Sequence, residues 1–174
     1  MRDFGSVKTG EFGGYIEKEE NLSHFGNAWV SGNAWVFDNA RVYDNAWVFG
    51  NAWVFDNARV YDDTWVYGNA KVYDDAWVCG DAKVYGDAWV SGNAEVFNTR
   101  HFFVQGPIGS RNGFITFYRT KDNTVEVRCG CFSGSLQEFV DRVEETHGGS
   151  RYEKEYKLAA ELAKVCIRLE GESR

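Results

Sequence analysis

Several absences narrow the role of this 174-residue chain before any motif is read. No stretch approaches the roughly 20 consecutive apolar residues of a membrane-spanning helix. The start, MRDFGSVKTG, has no signal-peptide core. The four cysteines, Cys79, Cys129, Cys131 and Cys166, follow neither a disulfide framework nor a zinc-finger spacing. The expectation is a cytoplasmic protein in a reducing compartment, away from membranes. Leucine is scarce, and the only histidines are His24, His101 and His147. Basic charge is scarce as well: of a net charge of −7, residues 26–97 hold ten acids against four bases. An acidic segment of that size repels nucleic-acid backbones, so nucleic acid is not an expected partner. Between residues 98 and 135 the balance reverses, with five bases against two acids, and an anionic ligand would look there.

What is present is a six-residue beat. From Gly26 to Phe97 the chain reads as twelve hexads without insertion or deletion, with valine at every sixth position from Val30 to Val96. Alanine stands two places before each valine, and Thr64 is the one exception. In an extended segment residues i and i+2 share a face, so each Ala-x-Val unit turns a small and a branched side chain inward. Gly or Asp followed by Asn or Asp then makes a corner, because these residues tolerate turn and left-handed backbone. One hexad buries nothing alone, whereas stacked hexads bury a continuous column.

This pattern resembles the left-handed parallel β-helix of hexapeptide repeats. The resemblance implies triangular coils of eighteen residues, hence about four coils for residues 26–97. The family usually carries a small or acidic residue after the aliphatic one, and here that slot is mostly Phe or Tyr. Best known among such β-helices are acyltransferases, whose general base is a histidine on a coil or on a loop thrown out from one. No histidine lies inside these hexads and no loop interrupts them. An acyltransferase is therefore the alternative reading, and the balance is towards a non-enzymatic protein.

The outward positions are largely aromatic. All seven tryptophans, Trp29, Trp35, Trp47, Trp53, Trp65, Trp77 and Trp89, stand before a valine, and Phe or Tyr usually follows it. With coils roughly 4.8 Å apart, these rings stack into columns. Such columns would stiffen a thin rod, and the tryptophans could also form an interaction surface, since monomers rarely leave large apolar patches bare.

Residues 1–25 are expected to cap the open end of the rod. After residue 97 the period stops, and residues 98–174 read as a small α+β domain. HFFVQ, FITFYRT and VEVRC alternate as a hairpin or meander, with Val125, Val127 and Cys129 inward. Ser135 with Glu138 and Ser150 with Glu153 then open two helices in capping-box form. In the second helix, Leu158/Leu162/Val165/Leu169 and Tyr152/Tyr156/Ala159/Ala163/Cys166 predict two buried faces, one available to a partner chain. The GPIGSR, CGCF and THG segments of this half resemble a domain that follows such hexads in bacteriophage and prophage proteins. That resemblance implies a viral accessory role in a host cytoplasm and supplies no chemistry.

Three places could carry chemistry. Gly109, Ser110 and Arg111 offer backbone N–H groups, a hydroxyl and a guanidinium to a phosphate or carboxylate, with Arg119 and Arg128 as helpers; the alternative is a tight turn linking rod to hairpin. Cys129 and Cys131 could bind metal or, with His147, act as a nucleophile, but alternation places both in the core. The Asp-Asp corners could attract Ca²⁺, though corner geometry alone explains them. No catalytic residue, metal or cofactor is expected. The reading is a mainly β binding or assembly protein, expected to self-associate. Its partner would be a host protein or a nucleotide-like small molecule, in a counter-defence role. A purely structural polymer is a further alternative.

Overall fold

The computed structural model describes residues 7–170. The hexads form twelve strands of two to four residues which, with two strands from the N-terminal segment, stack in parallel into three sheets of five, five and four strands. The result is a solenoid of about five turns. Trp35 pairs with Trp53, Val36 with Val54 and so on, at a constant offset of eighteen. Every hexad valine, and every alanine of the small position, is buried.

The corners follow from backbone chemistry. Where the first corner residue is Gly or Asp its φ is positive, as at Gly68 (73°) and Asp62 (59°). A Cβ on Gly68 would stand 2.9 Å from the Gly86 amide nitrogen of the next coil, so glycine here serves both conformation and close approach. The second corner residue builds amide ladders. Asn33 donates to Asn51, Asn51 to Asn69 and Asn69 to Asp87, at 3.0–3.2 Å. Asn27–Asn45–Asp63 and Asn39–Asn57–Asp75 repeat the arrangement, so each ladder ends on a carboxylate that only accepts. Elsewhere Asp62 and Asp74 accept from the Gly80 and Gly92 N–H groups one coil on. The acidic corners are thus held by hydrogen bonds within the solenoid.

The N-terminal segment does more than cap. Tyr15–Ile16 pairs in parallel with Trp35–Val36, and Leu22–Gly26 runs beside Arg41–Asp44, adding a coil to the four expected. Asn21 is fully buried and donates to the Asp38 and Ala40 carbonyls at 3.0 and 2.9 Å, which satisfies the edge the coil would otherwise leave open. The first six residues of the expected cap lie outside the described residues.

At the other end a four-stranded antiparallel sheet closes the rod. Its strands are Phe102–Ile108, Gly113–Arg119, Val125–Cys129 and Phe132–Ser135, in that order. The CGCF segment turns the chain at Gly130–Cys131 into the fourth strand, which the alternation of the first three did not predict. Alternation along Gly113–Arg119 sends Thr116 and Tyr118 onto the rod and Ile115 and Phe117 towards the helices. Thr116 Oγ1 accepts the Trp89 N–H at 2.9 Å, and Tyr118 joins the valine core. Helices α1 (Leu136–His147) and α2 (Arg151–Cys166) cover the opposite face through Phe139, Val143, Tyr156, Ala159, Ala160 and Ala163. Ser135 and Glu138 form the expected capping box. In the second cap Ser150 accepts from Glu153, but the Glu153 carboxylate turns to the Gly149 N–H. Only one face of α2 is buried: Leu158, Leu162 and Val165 are 70, 47 and 80% exposed.

Candidate functional site

Between the last turn of the rod and the terminal domain lies a cleft of about 490 Å³. Asp87 and Trp89 enter from the rod, Ser110 and Arg111 from the loop after the first sheet strand, and Arg128, Cys129 and Cys131 from the central hairpin. Arg142 and His147 come from α1 and Tyr156 from α2, over apolar residues that include Ile108, Phe139 and Val143.

Arg128 is placed by a gap in an aromatic column. Phe37 stacks on Phe55 at 5.0 Å and Phe55 on Tyr73 at 4.9 Å, but the next member, one coil on, is Ser91. The small side chain leaves room for the Arg128 guanidinium, which lies 5.3 Å from the Tyr73 ring centre. Its Nε donates to Ser91 Oγ at 3.0 Å. The two terminal nitrogens have no hydrogen-bond partner among the described residues, so a fixed cation faces the cleft. Arg111 makes no ion pair among the described residues, and Arg142 pairs with Glu145 at the surface.

Gly109 and Arg119 sit elsewhere. The Gly109 N–H donates to Glu155 at 2.7 Å, so a carboxylate of the protein already occupies the anion position of that turn. Arg119 is 3% exposed at the seam between rod and domain. There it pairs with Glu170 at 2.8 Å and Glu95 at 3.4 Å and stacks over Phe97. Both are engaged by carboxylates of the protein itself; of the expected anion ligands, Ser110, Arg111 and Arg128 line the cleft.

The cysteine pair is split. Cys129 is half-buried on the helix-facing side, whereas Cys131 occupies the hairpin turn and is exposed, because the two-residue Gly130–Cys131 turn breaks the alternation. Burial pushes the Cys129 thiol up, and its hydrogen bond with Tyr156 offsets this only in part. Burial likewise raises Tyr156. A thiol held protonated in this way is a poor nucleophile. His147 packs its ring against Tyr152 and Tyr156, with centroids 5.9 and 5.6 Å away. His24 stands exposed on the Leu22–Gly26 strand of the added N-terminal coil and pairs with Glu19, and His101 accepts the Phe97 N–H at the other end, so the twelve hexads themselves carry no histidine. Among the described residues no three His, Cys, Asp or Glu side chains gather as a metal site.

Of the seven tryptophans, Trp35, Trp53, Trp65 and Trp77 are exposed and Trp29, Trp47 and Trp89 half-buried. Basic residues continue their columns: Lys71 Nζ lies 5.0 Å from the Trp53 ring centre and 4.9 Å from that of Trp89. Sequence reasoning missed Arg142, His147 and Tyr156 as companions of Arg111, since nothing in their spacing links them. The serine at 91, where rings were due, was the one available signal.

A family model described as YdcK beta solenoid repeat matches residues 40–55 and 52–68, so that part of the rod is similar to that repeat. No curated protein and no solved structure matches the chain.

Proposed function

We propose that the protein is a non-enzymatic binding protein whose cleft takes a phosphorylated small molecule of nucleotide size. The observation that supports this best is the meeting of three guanidinium groups, Arg111, Arg128 and Arg142, around an apolar floor. Guanidinium forks suit phosphate oxygens, and an apolar floor with a few convergent polar groups is the usual make-up of a small-molecule site. A protein that binds without turnover fits the counter-defence setting, in which a signal molecule is sequestered. Isothermal titration with AMP and pyrophosphate at low salt tests the reading. Binding that weakens at least about tenfold in Arg111→Ala and Arg142→Ala supports it. Absence of heat with either ligand overturns it.

A second reading, self-association, is favoured by the bare stripe Leu158, Leu162 and Val165 on α2. Light scattering on the full chain and on Leu158→Lys reports on it directly: a dimer that becomes a monomer supports the stripe as the contact. A monomer in both removes it.

A further inference from the structure

The aromatic columns carry the assignment one step further. In a stacked column each interior ring has both faces covered, and only its edge meets solvent. Tyr15 stacks on Trp35 with centroids 4.8 Å apart, and Lys71 fills the gap between Trp53 and Trp89. A planar ligand therefore finds an open ring face where a column ends.

Trp89 is such an end. One face of its indole lies under the Lys71 ammonium. The position that would cover the other face, eighteen residues on, is Pro107, by which point the chain has left the coil for the first sheet strand. No other ring or cation stacks on Trp89 among the described residues, and the indole lines the cleft that also holds Arg111 and Arg128. Its backbone is pinned at the seam by the bond to Thr116. The ammonium beneath it disfavours a second cation above and leaves a surface suited to a neutral, electron-rich ring.

We infer that Trp89 is a base-stacking platform and that the ligand is a nucleotide, its base on the indole and its phosphate on the arginines. This rests on the cleft reading above and adds the ligand class. Stacking of a base on an aromatic side chain is sequence-tolerant, since every base has a π face. The cleft would accordingly discriminate a nucleotide from a sugar phosphate, and purine from pyrimidine only weakly.

The test is titration of the full chain with AMP and with ribose 5-phosphate, in wild type, Trp89→Leu and Trp89→Phe, with melting curves confirming that each variant is folded. Wild type is expected to prefer AMP by about tenfold or more. Trp89→Leu loses that preference while its affinity for ribose 5-phosphate is unchanged, and Trp89→Phe keeps most of it. Equal affinity of wild type for both ligands overturns the platform and leaves the anion cleft standing. Equal weakening of both ligands in Trp89→Leu does the same, as does an AMP preference that survives the substitution. Failure of either ligand to bind wild type removes the cleft reading and the platform together.

Discussion

Replacing Thr64 with valine should make this protein more stable. Thr64 is the single interruption in the alanine column; it is fully buried, and its hydroxyl has no hydrogen-bond partner among the described residues. The positions one coil before and after it are Ala46 and Ala82, which offer only methyl groups. A buried hydroxyl without a partner costs about 1–3 kcal/mol. Valine keeps the shape and the β-branch and replaces only the oxygen, so most of that cost should be recovered, about 1–2 kcal/mol. For a chain of this length that is a rise in Tm of about 3–6 °C. Thr64→Ala removes the same hydroxyl but also a packed methyl, whose loss and residual cavity cost about 1 kcal/mol, so it should lie between valine and threonine. Urea unfolding followed by far-UV circular dichroism ranks the three. A valine variant less stable than wild type would refute the reasoning, because it would mean that the hydroxyl is bonded in solution.

His101 should make stability fall in mild acid. Burial, and then the Arg119 charge, hold its pKa below the ordinary value of about 6.5. The unfolded chain therefore takes up the proton first: stability is intact above about pH 6.5 and declines as pH drops towards the folded value. Urea midpoints between pH 5 and 7.5 should show this slope in wild type and a shallower one in His101→Gln. Gly109→Ala combines a φ of 72° with a Cβ driven against the Tyr156 hydroxyl. It should cost about 2 kcal/mol or more, read as a lowered melting temperature, and should weaken AMP binding by displacing Tyr156. With a thiol-specific maleimide, peptide mapping should find Cys131 modified well before Cys129 and Cys79, since it alone of the three is exposed. Saturating AMP should slow that reaction, and no slowing would place the ligand elsewhere.

The legible part of the fold was the part with a beat. Val30 to Val96 recur every six residues, and the positive φ at Asp38, Asp44, Asp56, Asp62 and Asp74 falls on the corner residues that the sequence marks. The extra N-terminal coil escaped notice because it keeps no beat. Its Tyr15 pairs with Trp35 at an offset of twenty, and buried Asn21 does with side-chain hydrogen bonds what alanine and valine do by packing. The α2 stripe misled for the opposite reason: Leu158, Leu162 and Val165 repeat with helical spacing, yet the sheet offers α2 only one surface.

By itself the sequence determined the solenoid, its valine and alanine lining and its outward rings, because each depends on neighbours at fixed, short separations. The cleft is a different matter. Trp89, Arg111, Arg128, Arg142 and Tyr156 come from five separate segments, and they meet only because one face of the terminal sheet closes the rod while the other carries the helices. That docking also decided which arginines face the cleft and which, like Arg119, are neutralised at the seam. Distances of that kind are set by packing between elements, which no local period encodes.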